Sequence, residues 1–341
     1  MVFPEPTLTP RAGEPRDPAQ QLPLTEDEAR YVAAARAPNT LRGYRSDWSE
    51  FVAWCAHHHL DPLPAPADGI SAYLTDLAGT GAKVGTMSRR LSAIRFFHQL
   101  SDLPDPTGAA RVVAVWEGIR RTHGAPPEQA APLMPPELLD VLAACPVSRT
   151  WKARDRAAEP DLAGLRDRAL LLVGFFGALR RSELAGLTLD QVAEHPNGLV
   201  LTLPRSKTNQ YGEEPELVVL PRAGDQARCP VTALRTWLDA AHVDQGWVLR
   251  PVSRGNRALA RPLHPESVNT LVQAAVARAG IDAGDYSAHS LRAGFVTFAH
   301  LRGASDRAIA HQTRHRCMAS LGAYVRIHQI WTDNAATQLG L

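Results

Sequence analysis

Four residues near the end of the chain have types and spacings that suit chemistry on a phosphate group. His289 and Arg292 are three residues apart, His315 follows, and Tyr324 lies nine residues beyond His315. From residue 286 to 328 the sequence contains six arginines and five histidines but a single acidic residue. Such a segment favours a dense anion over a metal ion or a neutral substrate. A tyrosine here could attack phosphorus, because groups that neutralise a phosphate also stabilise the charge that develops during attack.

Two further basic residues lie upstream of this segment. Arg180 and Glu183 occur in FFGALRRSELAGL, where Gly177 marks the end of an apolar helix. Arg181 is an alternative to Arg180, which lies three residues before Glu183. Lys207 lies in PRSKTNQYGEE, the connection between two predicted strands. Taken alone, these residues would be a surface arginine and a solubilising lysine, so their significance depends on the whole ordered set.

That ordered set resembles the tyrosine recombinase (phage integrase) family. AHSLRAGF followed by QTRHRCMASLGAYVR is similar to the C-terminal motif of the family, H-x-x-R, then His or Trp, then a tyrosine nine residues later. RRSEL resembles its first arginine motif, R-x-S-E-L, and SKT its active-site lysine on a hairpin. The resemblance implies a catalytic set, with Glu183 in support, of Arg180, Lys207, His289, Arg292, His315 and Tyr324.

The resemblance implies site-specific DNA recombination through a 3′-phosphotyrosyl intermediate, without metal, ATP or another cofactor. Arg180 and Arg292 would hold the non-bridging phosphate oxygens, since guanidinium groups are permanently charged and bind such oxygens in pairs. His289 and His315 would supply hydrogen bonds and handle protons. Lys207 would protonate the departing 5′ oxygen. The implied partner is double-stranded DNA with an inverted-repeat site, bound by a homotetramer that is a monomer or weak oligomer when free.

One position departs from the family pattern. The residue before the second histidine is typically a glycine that ends a helix in a left-handed turn, whereas this chain has Arg314. The local backbone is therefore open to question. Arg314 and the nearby Arg316 are candidates for additional DNA contacts.

The elements that position these residues indicate a mainly α fold with a small antiparallel β-sheet, in two domains that would close on DNA as a C-shaped clamp. Residues 1–23 contain six prolines and predict a flexible tail. Residues 24–122 resemble the family's helical core-binding domain. Residues 123–136 contain five prolines and predict a linker. Residues 137–341 then form the catalytic domain, whose C-terminal helix carries an apolar stripe that could dock on a neighbouring copy.

Apolar periodicity predicts the individual elements. Helices are expected over residues 24–37, 39–55, 68–78, 86–100 and 109–122, and later over 136–144, 167–177, 230–241 and 265–279. Asn39 or Thr40 would cap the second of these helices. Strands are expected over 199–203 and 216–220, and residues 145–162 are expected to form a loop.

The helical domain also carries a candidate DNA-binding ridge. No acidic residue occurs between Leu77 and Ser101, and neighbouring basic residues lie on the preceding helix. A single arginine of this kind is as easily a solvated surface residue, but a cluster more often follows phosphates. The predicted DNA-contacting residues of this domain are Arg42, Arg45, Lys83, Arg89, Arg90 and Arg95.

Composition limits the other possibilities. The chain has 341 residues, 45% of them hydrophobic and 21% charged, as in ordinary globular proteins, and its net charge of +2 means that DNA affinity must come from where charges lie. Four scattered cysteines argue against disulfides or a zinc ribbon and for a reducing compartment. With no apparent signal peptide and no apolar run near the ~20 residues that span a bilayer, a cytoplasmic location is expected.

Three alternatives remain open from sequence. A type IB topoisomerase uses similar chemistry without exchanging partners, and a decayed integrase would bind DNA without cutting it. A metalloprotein could use residues 57–59 or the pair His311 and His315, although neither group has the acidic or cysteine partners that a zinc site requires.

Overall fold

The computed structural model describes residues 25–27, 30–31, 36–126, 129–150, 158–204 and 215–315. Three predicted site residues, Lys207, Arg316 and Tyr324, lie outside these ranges, as do the predicted tail over 1–23, half of the helix predicted over 24–37, and the predicted C-terminal helix. Contacts between Cα atoms divide the chain into two compact units, Met1–Pro127 and Glu128–Leu341.

The first unit is helical throughout its described part. Its α-helices are α1 (Pro38–His57), α2 (Ala67–Gly79), α3 (Val84–Leu100) and α4 (Ala110–His123), with a short 3-10 helix at Pro106–Gly108. Each helix contributes apolar residues at helical spacing to a common core, formed by Phe51, Cys55, Ile70, Leu74, Met87, Ile94, Val112 and Ile119. The predicted periodicity of these four helices is confirmed.

The predicted cap of α1 is wrong. Asn39 and Thr40 already lie inside the helix, and the capping position is Ala37, which provides no side-chain hydrogen bond. Pro38 occupies the first turn of the helix, where a backbone N–H would have no intrahelical acceptor, so proline loses no hydrogen bond there. The fixed φ of proline also suits the helix. Proline therefore starts this helix two residues earlier than the polar residues suggested.

The second unit combines helices with two small antiparallel sheets. Its α-helices are α5 (Glu137–Ala143), α6 (Leu162–Phe176), α7 (Arg181–Gly186), α8 (Pro230–Ala240), α9 (Pro265–Arg278), α10 (His289–Leu301) and α11 (Asp306–Thr313). Its strands are β1 (Ser148–Arg149), β2 (Glu159–Pro160), β3 (Val192–His195), β4 (Gly198–Leu203) and β5 (Glu216–Pro221). Short 3-10 helices occur at Leu189–Gln191 and Gln226–Arg228.

Helix α6 lies at the centre of this unit, where it packs against α8, α9, α10 and β5. It begins five residues before the predicted Asp167, because the Asp161 side chain accepts a hydrogen bond from the Gly164 N–H (2.8 Å) and caps the helix. Two of its charged residues, Arg166 and Asp167, are buried and pair with each other, and Asp167 also pairs with Arg278 of α9. Residues 163–166, which lie between the predicted loop and the predicted helix, thus belong to the helix.

Strands β3, β4 and β5 form one antiparallel sheet in that order. In the central pair, Leu201 lies opposite Val218 and Leu203 opposite Glu216. Strands β4 and β5 confirm the two predicted strands. Strand β3 was not predicted, because three of its four residues are exposed and it lacks an apolar alternation. The predicted loop likewise contains the two-residue strands β1 and β2, which are too short for a periodic signal.

Residues 131–133 belong to the packing of the second unit. The N–H groups of Ala131 and Leu133 donate to the carbonyls of Asp285 (2.8 Å) and Ser290 (2.9 Å), and the Leu133 side chain is fully buried. Gly294 of α10 permits this close approach, since a Cβ at that position would lie 2.0 Å from the Leu133 carbonyl oxygen. This segment fixes the N-terminal half of α10, which carries two predicted catalytic residues.

Candidate active site

Arg180 and Glu183 are positioned by the start of α7. Arg180 occupies the capping position, and Glu183, three residues later, accepts hydrogen bonds from the Arg180 N–H (2.8 Å) and from Arg180 Nη1 (2.8 Å). The Glu183 side chain is only 4% exposed, so its charge remains next to Arg180. Arg181 is exposed and pairs instead with Glu266 of α9. The sequence offset that favoured Arg180 over Arg181 agrees with this geometry.

Arg292 of α10 connects two loops of the second unit. Its side chain is buried, and Nη1 donates to the carbonyl of Ala178 (2.6 Å), between α6 and Arg180. Nη2 donates to the carbonyl of Thr313 at the end of α11 and contacts Nε2 of His315 (3.3 Å). A single guanidinium therefore connects Ala178, which lies 114 residues before Arg292, to Thr313, which lies 21 residues after it.

His315 lies directly after the turn that ends α11. Thr313 Oγ1 donates to the carbonyl of Ile309 (2.7 Å) and lies 2.6 Å from His315 Nδ1. Since the threonine hydrogen is used there and Arg292 can only donate, we assign the neutral tautomer in which Nδ1–H donates to Thr313 and Nε2 accepts. Burial, followed by the charges of Arg292, Arg180, Arg314 and His289, lowers the pKa of His315 from 6.5 to about 4.

His289 begins α10 and is exposed, with its N–H donating to Ser287 Oγ (3.2 Å). It lies three residues before Arg292 on the same helix, and its charge is among those that lower the pKa of His315. The described part of the chain therefore brings together five of the predicted site residues, Arg180, Glu183, His289, Arg292 and His315. We refer to these five residues and Arg314 as the basic cluster.

Arg314 retains the left-handed turn expected of glycine. Its φ and ψ are 58° and 41°, although this conformation costs a residue with a Cβ roughly 1–2 kcal/mol. Its side chain is 4% exposed, and Nη2 donates to Glu183 Oε2 (2.6 Å) while Nε lies 3.2 Å from Glu216 Oε2. This burial is inconsistent with the direct DNA contact predicted for Arg314, because a phosphate would have to replace the carboxylates.

Two residues of α11 that sequence reasoning missed complete the surroundings. Thr313 orients the His315 ring, and Gln312 Nε2 donates to the carbonyls of Phe176 (2.9 Å) and Val219 (2.8 Å). Gln312 thereby joins the end of α11 to the ends of α6 and β5. No local signal could identify these contacts, since the partners of Gln312 are separated from it by 136 and 93 residues.

Arginines of the predicted DNA-binding ridge have carboxylate partners. Arg89 donates from Nε (2.7 Å) and Nη2 (2.9 Å) to the buried carboxylate of Asp47 on α1. Arg90 is largely buried and contacts Glu50 and the hydroxyl of Tyr73 (2.7 Å). The stretch without acids in the sequence is therefore neutralised in part by acids of other helices.

The remaining ridge residues differ in their surroundings. Arg95 donates to Asp105 (2.7 Å), and Arg42 donates to an asparagine side chain in the same helical turn. Arg45 is exposed on α1 and has no ion-pair partner within the described ranges. Lys83 is exposed immediately before α3. Among the described arginines that are predicted to contact DNA, Arg45 is thus the one that a phosphate could bind without displacing a side-chain partner within the described ranges.

Two features are absent from the described residues. Within them, no helix is long and apolar enough to cross a membrane. Among the same residues, no group of three or more His, Cys, Asp or Glu side chains is arranged to hold a metal ion.

Comparisons with known proteins agree with the geometry. The sequence model of the phage integrase family matches residues 152–329, and that of the phage integrase N-terminal SAM-like domain matches residues 29–101. An integrase/recombinase xerD homolog of Selenomonas ruminantium is 34% identical over 313 residues, which is 91% of this chain and 88% of the relative. The tyrosine recombinase XerD of Rhizobium meliloti is 26% identical over 319 residues, covering 89% and 93% of the two chains.

Solved structures show the same fold. A lambda integrase dimer bound to a COC′ core site matches with a TM-score of 0.54 and 14% identity, over 87% of this chain and 75% of that one. The XerH recombinase in a post-cleavage complex with a palindromic difH substrate matches with a TM-score of 0.51 and 16% identity, over 81% and 71%.

The helical and mixed units, together with the basic cluster, define a tyrosine recombinase. The chain belongs to the phage integrase family. Its activity is site-specific DNA recombination through a tyrosine intermediate.

Proposed function

We propose that Tyr324 is the nucleophile of this recombinase and that the basic cluster holds the phosphate it attacks. The tyrosine oxygen would form a bond to phosphorus while the bond from phosphorus to the 5′ oxygen breaks, leaving a 3′-phosphotyrosyl link. Attack by a 5′ hydroxyl from another strand reverses the step and releases the tyrosine. Each cleavage replaces the bond from phosphorus to the 5′ oxygen by a bond from phosphorus to the tyrosine oxygen, so the energy of the broken bond is retained. The proposal therefore requires neither ATP nor a metal ion.

The observation that carries this proposal is the convergence of Arg180, Arg292 and His315. Three segments distant in sequence meet through hydrogen bonds that are wholly or partly buried, and two of the meeting groups are permanently positive. An excess of fixed donors and positive charge is what a phosphate requires as its charge increases in the transition state. Glu183 contributes by orienting Arg180, since its oxygens accept from both the backbone and the side chain of that residue.

The histidines would have different roles. With its pKa near 4, His315 is neutral under ordinary conditions, and its Nε2 can accept but not donate in the assigned tautomer. We therefore propose that His315 orients Arg292, because the one lone pair on Nε2 accepts from that guanidinium. His289, which is exposed at the start of α10, would take up the tyrosine proton and form a hydrogen bond to the phosphate. Lys207 would supply the proton that the departing 5′ oxygen needs.

We further propose that the first unit binds duplex DNA beside the cleavage site. In this proposal residues 24–122 form the DNA-binding domain and residues 137–341 the catalytic domain, and the cytoplasm is the site of action. The linker proposed over 123–136 would be effectively shorter, because residues 131–133 pack within the second unit. Arg45 is exposed and is the best candidate for a phosphate contact, while Arg89 is held by Asp47.

A homotetramer on paired inverted-repeat sites is proposed for the active assembly. Its support is an apolar groove of about 500 Å³ on the second unit, lined by residues that include Leu139, Phe176, Phe295 and Phe298. The sequence after Tyr324 supplies an apolar stripe at helical spacing that such a groove could bury. We propose that residues 330–341 of a neighbouring copy occupy it, which would couple the active sites of the assembly.

Covalent trapping tests the proposed chemistry. Sites recovered from genomic DNA bound by the protein would be built as nicked duplexes, so that the cleaved fragment diffuses away and the covalent complex accumulates. We expect a protein–DNA band on a denaturing gel that persists in chelator and disappears in Tyr324→Phe, Arg180→Ala and Arg292→Ala. Arg181→Ala is the matched control, since this neighbouring arginine pairs with Glu266 and should leave the band intact.

Two results would contradict the proposal. A wild-type protein that binds these sites but forms no covalent band would be a DNA-binding protein without cleavage. A covalent band accompanied by efficient relaxation of plasmids that lack the site would favour a topoisomerase, because relaxation needs no second site.

A further inference from the structure

The Glu183 carboxylate is shared by two guanidinium groups. Oε1 accepts from Arg180 Nη1 (2.8 Å), while Oε2 accepts from the Arg180 N–H (2.8 Å) and from Arg314 Nη2 (2.6 Å). The side chains of Glu183 and Arg314 are each 4% exposed, so solvent contributes little to holding them. The position of Arg314 therefore determines how the Glu183 carboxylate is turned, and this carboxylate in turn holds Arg180.

Arg314 also joins the cluster to the sheet. Its Nε lies 3.2 Å from the carboxylate of Glu216, the first residue of β5. The adjacent Gln312 donates to the carbonyl of Val219 on the same strand (2.8 Å). The end of α11 is thus attached to β5 at two points, one charged and one neutral.

The burial of Arg314 needs an explanation beyond stability. A left-handed backbone favours glycine, and a buried ion pair often contributes little net stability because both charges lose their hydration. A direct phosphate contact does not explain it either, since the guanidinium is directed at Glu183 and at the carbonyls of Gly177 and Gln312. What the side chain does accomplish is to fix the orientation of a carboxylate in the site.

We propose that Arg314 is a positioning residue for strand cleavage, which holds Glu183 so that Arg180 faces the reacting phosphate. The proposal rests on the function proposed above for Arg180. Arg314 also adds a positive charge beside Glu183, which leaves more of the Arg180 charge to act on the phosphate. In this chain an arginine therefore combines the turn that glycine usually makes with the anchoring of the first catalytic arginine.

Arg314→Gly and Arg314→Lys test this role. Glycine allows the left-handed turn but removes the guanidinium that holds Glu183. Lysine keeps the positive charge but lacks the two planar NH2 groups with which arginine forms several hydrogen bonds at once. We expect the single-turnover rate of covalent cleavage on nicked DNA to fall about 10- to 100-fold in Arg314→Gly and less in Arg314→Lys, since small misplacements of this kind have such effects. DNA affinity should change little by comparison.

His242→Gly is the matched control for the backbone. His242 also has a positive φ (52°) after a helix of the same unit, but it is exposed and outside the basic cluster. Replacing it by glycine relieves the same kind of strain without affecting Glu183. We expect its cleavage rate to equal that of the wild type.

A modified substrate separates positioning from a general structural effect. Replacing one non-bridging oxygen of the scissile phosphate by a methyl group removes the charge that Arg180 would neutralise. On the stereoisomer for which Arg180→Ala loses least activity, Arg314→Gly should also lose much less than on the ordinary phosphate. A variant that is merely misfolded would be impaired equally on both substrates.

The outcomes distinguish this proposal from the function on which it rests. If the wild type cleaves through Tyr324 and Arg314→Gly cleaves equally fast, or is impaired equally on both substrates, the role of Arg314 is overturned and the chemistry stands. If the wild type forms no tyrosine-dependent covalent complex, both are overturned. A loss that is restored in part by lysine and by the methylated phosphate supports the proposal.

Discussion

Acidification should destabilise this protein through His315. In the folded protein, burial and the surrounding positive groups lower the pKa of His315 from 6.5 to about 4. Between these two pH values the unfolded chain binds a proton at this position and the folded chain does not. The stability that the neutral ring contributes is therefore fully present above pH 6.5 and is lost as the pH falls towards about 4.

The size of this effect follows from the two pKa values. At about 1.36 kcal/mol per pKa unit, the difference corresponds to an upper limit of about 3 kcal/mol. The ring is only partly buried, and solvent screens part of the repulsion, so about 1–2 kcal/mol is the expected change. That change is large compared with the stability of a typical domain, about 5–15 kcal/mol.

Two measurements together test this prediction. Chemical denaturation of the wild type and of His315→Gln across this pH range should show the difference in their free energies of unfolding changing by the expected amount, because glutamine does not titrate. Nitrogen-15 NMR of the imidazole groups, with His315 assigned by its loss in the variant, should show a neutral ring protonated at Nδ1 down to about pH 5. A His315 ring that titrates near 6.5 in the free protein would refute the reasoning.

Two further predictions concern DNA binding. Deleting residues 330–341 should weaken cooperative binding to a paired site while single-site affinity is retained, measured by gel shift and by sedimentation; unchanged cooperativity and stoichiometry would exclude docking between copies. Arg45→Ala should reduce the slope of log affinity against log salt by about 1, because one phosphate contact is lost, whereas Arg89→Ala should change the slope less, since Arg89 is paired with Asp47. Equal slopes for the two variants would contradict this assignment.

Much of the fold could be predicted because its signals are local. Helices α1 to α4 repeat apolar residues at helical spacing over three or more turns, and their observed ends differ from prediction by only a few residues. The catalytic spacing is also local, because His289 and Arg292 share one helix and Arg180 and Glu183 share one helix start. Short or exposed elements such as β3 gave no such signal.

The electrostatic surroundings could not be predicted, because they depend on contacts between distant segments. Asp47 lies 42 residues before Arg89, and Glu183 lies 131 residues before Arg314. A stretch that lacks acids in sequence can therefore be neutralised in space, and an arginine that suggests a DNA contact can instead be a buried anchor. Only the folded arrangement distinguishes these cases.

The hydrogen bonds of Arg292 align this side chain before DNA binds. They bind the guanidinium to the carbonyls of Ala178 and Thr313 within the second unit alone, so its alignment is established by folding. Hydrogen bonds to charged groups contribute about 1.5–3 kcal/mol each, which is enough to keep this side chain in one conformation. The arrival of DNA therefore requires little reorganisation of Arg292, so aligning this side chain takes little of the DNA-binding free energy.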